Sequence, residues 1–211
     1  MTGASGARYG LRLLERLLAV ERRVELLISD AGREVIRQEC GLSLPAECGV
    51  WVARIGEWLA AQGRLPVPMT RLQVFDRQDW QAPMASGSTG PRAMVVCPCS
   101  MGSLAAMAHG LSDNLIERAA DVVLKEGWPL ILVSRETPLS SIHIENMLTL
   151  SRAGAVILPA CPGFYHLPET VDDLVDFVVE RIMVRLGSVM MPAMRGWGAA
   201  DMVTPDERRA G

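Results

Sequence analysis

The chain alternates short apolar runs with longer amphipathic stretches, and this alternation limits its fold more than any other feature. Turn residues bound the apolar runs, which predict strands at RVELLIS (23–29), LQVF (72–75), AMVVCP (93–98), PLILVS (129–134) and AVILP (155–159). Strands that alternate with helices are typical of βα units. We therefore expect an α/β fold with a parallel sheet flanked by helices.

Helical periodicity fills the segments between these runs. Leu11, Leu14 and Leu18 form one stripe near the start of the chain. Asp30 is expected to cap the helix after the first strand, and Thr170 with Asp173 forms a capping box ahead of a long last helix. Other helices are predicted at Trp51–Leu59, 103–110, 114–127 and 140–154. We expect one domain over residues 1–190 and a C-terminal tail over 191–211.

Composition excludes some classes of partner and favours self-association. The 211 residues carry a net charge of −3, which offers no basic field for nucleic acid. The mean hydropathy of +0.20 is high, yet no apolar run approaches the roughly 20 residues of a membrane span. We assign the excess to subunit interfaces and expect a homo-oligomer. An odd number of cysteines, five, predicts reduced thiols and a cytoplasmic location.

The glycine-rich turn "GASGA" runs directly into the first helix. Gly3 and Gly6 permit close backbone approach, Ser5 offers a hydroxyl, and free N–H groups at the helix start favour a phosphate. The turn lacks the full GxGxxG spacing, so a simple turn is the alternative. A parallel sheet normally supplies such a loop from a strand. We therefore expect that the chain lacks several N-terminal residues or starts at an internal methionine.

Polar segments follow the predicted strands. Ser29, "PCSMGS" (98–103), "SRETP" (134–138) and "PACPGFYH" (159–166) each stand where a strand ends. Ligands of open α/β sheets bind beyond the carboxyl ends of the strands. We expect these loops to line one site.

Four cations sharpen the ligand prediction. Arg118 and Lys125 are seven residues apart on one helix and share a face, Arg135 ends a strand, and Arg181 lies in the last helix. Together they would clamp more than one phosphate. For Arg118 the alternative is an ion pair with Asp121 along the helix.

No metal site is predicted. Asp172, Asp173 and Asp176 spell D-D-x-x-D, which resembles the magnesium–diphosphate motif of isoprenoid synthases. They fall in the first turns of a capped helix, where the dipole favours acidic residues, and no second aspartate-rich stretch accompanies them. Cys97 and Cys99 lack the CxxC spacing of a metal pair.

Several segments together resemble the UbiX-type flavin prenyltransferases over roughly residues 1–187. They are TGASGA, MASGSTGP, CPCSMGSL, NLIERAADVVLKE, the stretch from PLILVSRETP to PACPGFYH, and VDDLVDFVVERI. The resemblance implies a flavodoxin-like (Rossmann-like) three-layer fold in a dodecamer. It implies a metal-independent transferase that joins a dimethylallyl group from dimethylallyl monophosphate to N5 and C6 of reduced FMN. The prenylated FMN would serve UbiD-type decarboxylases, as in ubiquinone biosynthesis.

The resemblance also implies the residues of the site. Matched motif positions assign FMN binding to Gly3, Ala4, Ser5, Ser29, Ser100, Met101, Gly102, Ser103 and Arg135. They assign the prenyl phosphate to Tyr165 and Arg181, with Lys125 and Arg118 from a neighbouring part of the assembly. Glu136 matches a proton-handling carboxylate that we pair with Ser5, and Glu39 matches a second acid near the phosphate. Trp197 is matched to a C-terminal aromatic residue at the prenyl pocket.

Two alternative functions remain open at this point. One is an FMN-dependent decarboxylase of a cysteine-derived substrate, similar to phosphopantothenoylcysteine decarboxylase. "PAMRGW" is only a partial match to that family's PxMNxxMW signature. The other is a noncatalytic flavin carrier, which would bind FMN without changing it.

Overall fold

A computed structural model describes residues 1–63 and 66–187. The chain divides into two compact units, Met1–Ala160 and Cys161–Gly211. The helices are α1 (Ala7–Ala19), α2 (Asp30–Cys40), α3 (Trp51–Ala61), α4 (Met101–Ala108), α5 (Leu115–Lys125), α6 (Ser141–Arg152) and α7 (Val171–Arg185). The strands are β1 (Val24–Leu26), β2 (Leu72–Val74), β3 (Met94–Cys99), β4 (Leu130–Ser134) and β5 (Val156–Ile157).

Every paired strand of the first unit runs parallel to its neighbour among the described residues. β1 pairs with β2 in the register Val24–Leu72. β4 lies between β3 and β5, with Ile131 opposite Val95 on one side and Val156 on the other. The expected parallel sheet flanked by helices is confirmed.

Met1 and Thr2 join the two sheets. The Met1 nitrogen donates to the Leu27 carbonyl oxygen at 2.7 Å, and the Ser29 N–H donates to the Met1 carbonyl oxygen at 3.0 Å. On the other side, the Thr2 N–H donates to the Pro98 carbonyl oxygen at 3.1 Å. The hydrogen-bonded layer therefore runs β2, β1, Met1–Thr2, β3, β4, β5.

Two apolar clusters hold the first unit together. One is built from α1, α2, α3 and the first sheet and includes Leu18 and Ile36. The other is built from β3, β4 and helices α4 to α6 and includes Leu104 and Leu132. Complete burial of each such side chain contributes roughly 1.5–3 kcal/mol.

Helix and strand ends differ from the predicted ones in places. Ser29, not Asp30, caps α2, because its extended backbone lets its hydroxyl accept from the Gly32 N–H; Asp30 is the first helical residue. Asn114 likewise caps α5 instead of lying inside it. The strand predicted over 23–29 is regular only at Val24–Leu26, since its pairing passes from β2 to Met1.

The second unit contains α7. The predicted capping box is confirmed: the Thr170 hydroxyl accepts from the Asp173 N–H, and the Asp173 carboxylate accepts from the Thr170 N–H. Tyr165 and His166, which precede α7, form an aromatic cluster with Phe177 of the helix.

Two predictions concern the extent of the domain and the end of the chain. The single domain over 1–190 remains a prediction, and the tail 191–211 with Trp197 lies outside the described residues. Among the described helices, none combines the length and apolar character of a membrane span.

Candidate active site

The first loop begins where the strand order reverses. Strand β1 lies on one side of Met1–Thr2 and β3 on the other, and the Gly3–Gly6 loop follows directly. Ser29 follows β1 and Ser100 follows β3. Ligands of open α/β sheets bind at such a switch point, beyond the carboxyl ends of the strands.

The glycines of this loop are required by their surroundings. A Cβ on Gly3 would lie 2.5 Å from the Ala31 Cβ, so the loop packs directly on the first turn of α2. Gly6 has φ of 108°, a left-handed conformation that side chains rarely adopt. The loop thereby holds Ser5 at the start of α1.

Ser29 and Ser100 have the same structural role, because each caps the helix that follows it. The Ser29 hydroxyl accepts from Gly32 N–H at 3.0 Å, and the Ser100 hydroxyl accepts from Ser103 N–H at 3.3 Å. At the start of α4, the N–H groups of Met101 and Gly102 have no acceptor among the described residues. These donors and the helix dipole favour an electron-rich group.

Arg135 connects the end of β4 to the first loop. Its Nε donates to the Ser5 carbonyl oxygen at 3.3 Å. The next residue, Glu136, is exposed and accepts from the Thr137 N–H at 3.1 Å. The structure thus brings Ser5, Arg135 and Glu136 to the same edge of the sheet.

Glu39 caps α1. Its Oε2 accepts from the N–H groups of Gly6 at 2.9 Å and Ala7 at 2.8 Å. The expected free donors at the start of this helix are therefore partly taken by a carboxylate of the chain itself. A phosphate near this loop would meet the remaining donors and the Glu39 charge.

The cations of α5 are tied to their neighbours. Arg118 donates through Nε to the Ala85 carbonyl oxygen at 3.1 Å and pairs with Asp121 at 2.8 Å, the ion pair considered from the sequence. Lys125 pairs with Glu126. A Cβ on Gly87 would collide with the Glu126 carboxylate. The 85–87 loop therefore packs against α5, a contact that helical periodicity does not reveal.

Tyr165 and Arg181 lie in the second unit. Tyr165 is 46% exposed, and its ring meets the Phe177 ring edge-on with the ring centroids 5.7 Å apart. Arg181 lies on an exposed part of α7. Both side chains are accessible to a ligand.

Asp173 of the acidic motif caps α7. Hydrogen bonds, first from the Thr170 backbone and then from its hydroxyl, lower the pKa of Asp173. Within the described ranges, no group of three or more histidine, cysteine or acidic side chains is placed to hold a metal ion.

The five cysteines are free thiols in three kinds of surroundings, with Cys40 and Cys48 half-buried. Cys97 and Cys99 are buried in β3, and burial raises the pKa of each to about 12. Cys161 is exposed. The strand thiols are protonated at neutral pH and are unsuited to nucleophilic chemistry.

Comparisons with known proteins agree with this geometry. The model of the Flavoprotein family matches residues 1–183. The chain is 53% identical over 206 residues to the flavin prenyltransferase UbiX of Pseudomonas aeruginosa, covering 98% of this chain and 95% of the relative.

Two solved structures are also similar. A UbiX in complex with FMN and dimethylallyl pyrophosphate has a TM-score of 0.79 at 36% identity and covers 93% of this chain and 95% of its own. A dodecameric FMN-dependent UbiX-like decarboxylase from Escherichia coli has a TM-score of 0.78 at 37% identity, with 93% and 99% covered. The fold is therefore flavodoxin-like, as expected, and the chain belongs to the Flavoprotein family and, within it, to the UbiX flavin prenyltransferases.

Proposed function

We propose that this chain is a flavin prenyltransferase that joins a dimethylallyl group to N5 and C6 of reduced FMN. The observation that carries the proposal is the convergence of the Gly3–Ser5 loop, Ser29, Ser100 and Arg135 at one edge of the sheet. These are the positions that match the FMN motifs of the family.

The residues of this edge fit a flavin mononucleotide. Gly102 is exposed, and a Cβ there would meet open space, so the start of α4 can approach a flat ring closely. Hydroxyls of Ser5, Ser29 and Ser103, the N–H groups of Met101 and Gly102, and the Arg135 guanidinium supply donors for its polar atoms. The bound reduced flavin would supply an electron-rich ring as the prenyl acceptor.

The phosphate of the prenyl donor needs positive charge. An allylic monophosphate is a poor leaving group unless its developing charge is neutralised. Lys125, Arg118, Tyr165 and Arg181 supply three cations and a phenol hydroxyl, with Lys125 and Arg118 provided by a neighbouring subunit. Exclusion of water protects the allylic cation that phosphate loss leaves.

A proton must also leave when the second bond to the ring forms. We assign Glu136, next to Arg135, to accept it and Ser5 to pass it on. Glu39, close to the same loop, is the second acid of the site. Glu136→Gln should stall turnover while FMN stays bound; unchanged turnover would remove this role.

The donor is dimethylallyl monophosphate, and the chemistry uses no metal. One similar structure was solved with dimethylallyl pyrophosphate, so both donors should be compared. Full activity in a chelator supports the metal-free route. Loss of activity in a chelator would instead support a metal site at Asp172 and Asp176.

We also propose that the active form is a cytoplasmic homododecamer. Helix α6 and the residue before its cap expose apolar side chains: Leu139, Ile142, Ile144 and Leu148. A soluble chain rarely leaves such a patch uncovered. Measurement of the molecular mass by light scattering tests this oligomeric state. We propose separately that the prenylated flavin passes to a UbiD-type decarboxylase.

One experiment separates the proposed function from its alternatives. The chain is incubated with reduced FMN and dimethylallyl monophosphate, and the flavin is analysed by mass spectrometry. A flavin heavier by one C5H8 unit supports prenyl transfer. Bound but unmodified FMN supports a flavin carrier, and carbon dioxide release from a cysteine-derived acid supports a decarboxylase.

A further inference from the structure

We propose that Thr2 is a positioning residue that sets the loop after β3 for flavin binding. This inference rests on the proposed function, because the ligand it concerns is FMN. Thr2 is 2% exposed and precedes the glycine loop. The Thr2 side chain therefore does not line the exposed part of the site.

The Thr2 hydroxyl both donates and accepts a hydrogen bond. Thr2 Oγ1 donates to the Pro98 carbonyl oxygen at 3.0 Å and accepts from the Ser100 N–H at 2.8 Å. The Thr2 backbone N–H reaches the same Pro98 oxygen at 3.1 Å. One residue thus holds the backbone on both sides of Cys99.

This support falls where the sheet itself is irregular. The pairing of β3 with β4 shifts register between Val96 and Cys99. Pro98 has no N–H to give to a neighbouring strand. The end of β3 is therefore aligned by Thr2 in place of a regular ladder.

The alignment continues into the site. Ser100 caps α4 through its hydroxyl, and its N–H is fixed by Thr2. The direction of the free Met101 and Gly102 N–H groups depends on that cap. On the other side, the preceding residue, Met1, holds Ser29. The segment therefore fixes the spacing of two loops assigned to FMN.

The test compares Thr2→Val with Thr2→Ser in the full chain. Valine keeps the shape but leaves the Pro98 oxygen and Ser100 N–H buried with one partner fewer. We expect FMN to bind about ten-fold more weakly, and serine to restore affinity to within about three-fold. FMN dissociation constants are measured by flavin fluorescence, well below the melting temperature of each variant.

A matched control separates positioning from stability. Ile55→Val removes a methylene from the buried face of α3, a helix to which no part of the site is assigned. It should lower the melting temperature and leave FMN affinity unchanged. If Thr2→Val binds FMN as the wild type does, or if Thr2→Ser fails to restore binding, the inference is wrong.

Two further outcomes are also decisive. If the wild-type chain binds no FMN, both the proposed function and this inference are wrong. If Thr2→Val does not fold, hydrogen exchange of the wild-type Ser100 amide decides. Slow exchange in the wild type, retained in Thr2→Ser together with FMN affinity, supports the inference, and fast exchange in the wild type overturns it.

Discussion

The Arg135 side chain reaches back 130 residues to the first loop, where its Nε donates to the Ser5 carbonyl oxygen at 3.3 Å. The contact ties the end of β4 to the loop that opens the chain. It also leaves the other guanidinium nitrogens available for a ligand. If FMN binds at this edge of the sheet as proposed, Arg135 both positions the first loop and supplies donors to the flavin.

Arg135→Lys should weaken FMN binding. Lysine keeps the charge but lacks the planar guanidinium group, which can donate hydrogen bonds to the first loop and to a ligand at the same time. Loss of one charge-assisted hydrogen bond, about 1.5–3 kcal/mol, corresponds to roughly a ten- to hundred-fold higher dissociation constant by fluorescence titration. Arg37→Lys, in an exposed pair with Glu34, is the control and should bind normally. Equal affinities in all three proteins would remove Arg135 from the flavin site.

Glu39→Gln should separate helix capping from catalysis. Glutamine retains one oxygen for the Gly6 and Ala7 N–H groups but loses the negative charge at the start of α1. We expect a stability loss of about 0.3–1 kcal/mol and a fall in turnover of about 100-fold. Urea unfolding and the flavin mass assay measure the two effects.

The control for Glu39 lies on the same helix. Glu34 is exposed and bonded to Arg37, so Glu34→Gln changes the charge of α2 equally without touching the loop. It should leave turnover intact. Normal turnover in Glu39→Gln, with stability lowered, would assign Glu39 to capping alone.

Local signals in the sequence predicted the local structure. Apolar runs identified the strands, and the capping box of Thr170 and Asp173 spans only one turn, so its partners are close in sequence. It was harder to predict which of two adjacent polar residues caps a helix. Ser29 caps α2 instead of Asp30 because Ser29 has the extended backbone that directs its hydroxyl into the helix.

Contacts between distant segments were beyond such signals. Glu39 accepts from Ala7, 32 residues earlier, and Thr2 contacts Ser100, 98 residues later. No periodicity or spacing encodes these pairs, since they depend on which strands become neighbours. The resemblance to the family indicated Glu39 because of its position in the sequence, but only the fold shows that Glu39 caps α1. Nothing in the sequence indicated a role for Thr2.

Gly163→Ala should disturb Tyr165 selectively. A Cβ at this position would lie 2.9 Å from Tyr165 Cε1 and 3.0 Å from Phe177 Cζ, so at least one ring must move. If Tyr165 binds the prenyl phosphate, we expect KM for dimethylallyl monophosphate to rise about ten-fold with FMN affinity unchanged. Steady-state kinetics and flavin fluorescence measure the two.

Gly49→Ala is the matched control for this change. The nearest atom to a Cβ there is a Glu47 carboxylate oxygen at 3.9 Å, so the methyl group fits. Its KM should equal that of the wild type. A normal KM in Gly163→Ala as well would argue against Tyr165 as a phosphate ligand.

The buried thiols of β3 should make the fold sensitive to alkaline pH. Burial raises the pKa of Cys97 and Cys99 to about 12, from 9.0 for an accessible thiol. Above pH 9 the unfolded chain releases these protons and the folded chain keeps them. The folded state is therefore progressively destabilised relative to the unfolded chain as the pH rises from 9 towards 12.

Urea unfolding at pH 8 and pH 10 measures this effect against two variants. Cys97→Ala combined with Cys99→Ala lowers stability at pH 8 through lost packing, but it should lose less on going to pH 10 than the wild type does. Cys161→Ala, at an exposed site, should follow the wild type. If all three proteins lost the same free energy of unfolding between pH 8 and pH 10, the burial of Cys97 and Cys99 would not govern alkaline stability. All three proteins keep Cys40, whose pKa burial raises to about 11, so the double variant differs from the wild type only by the two strand thiols.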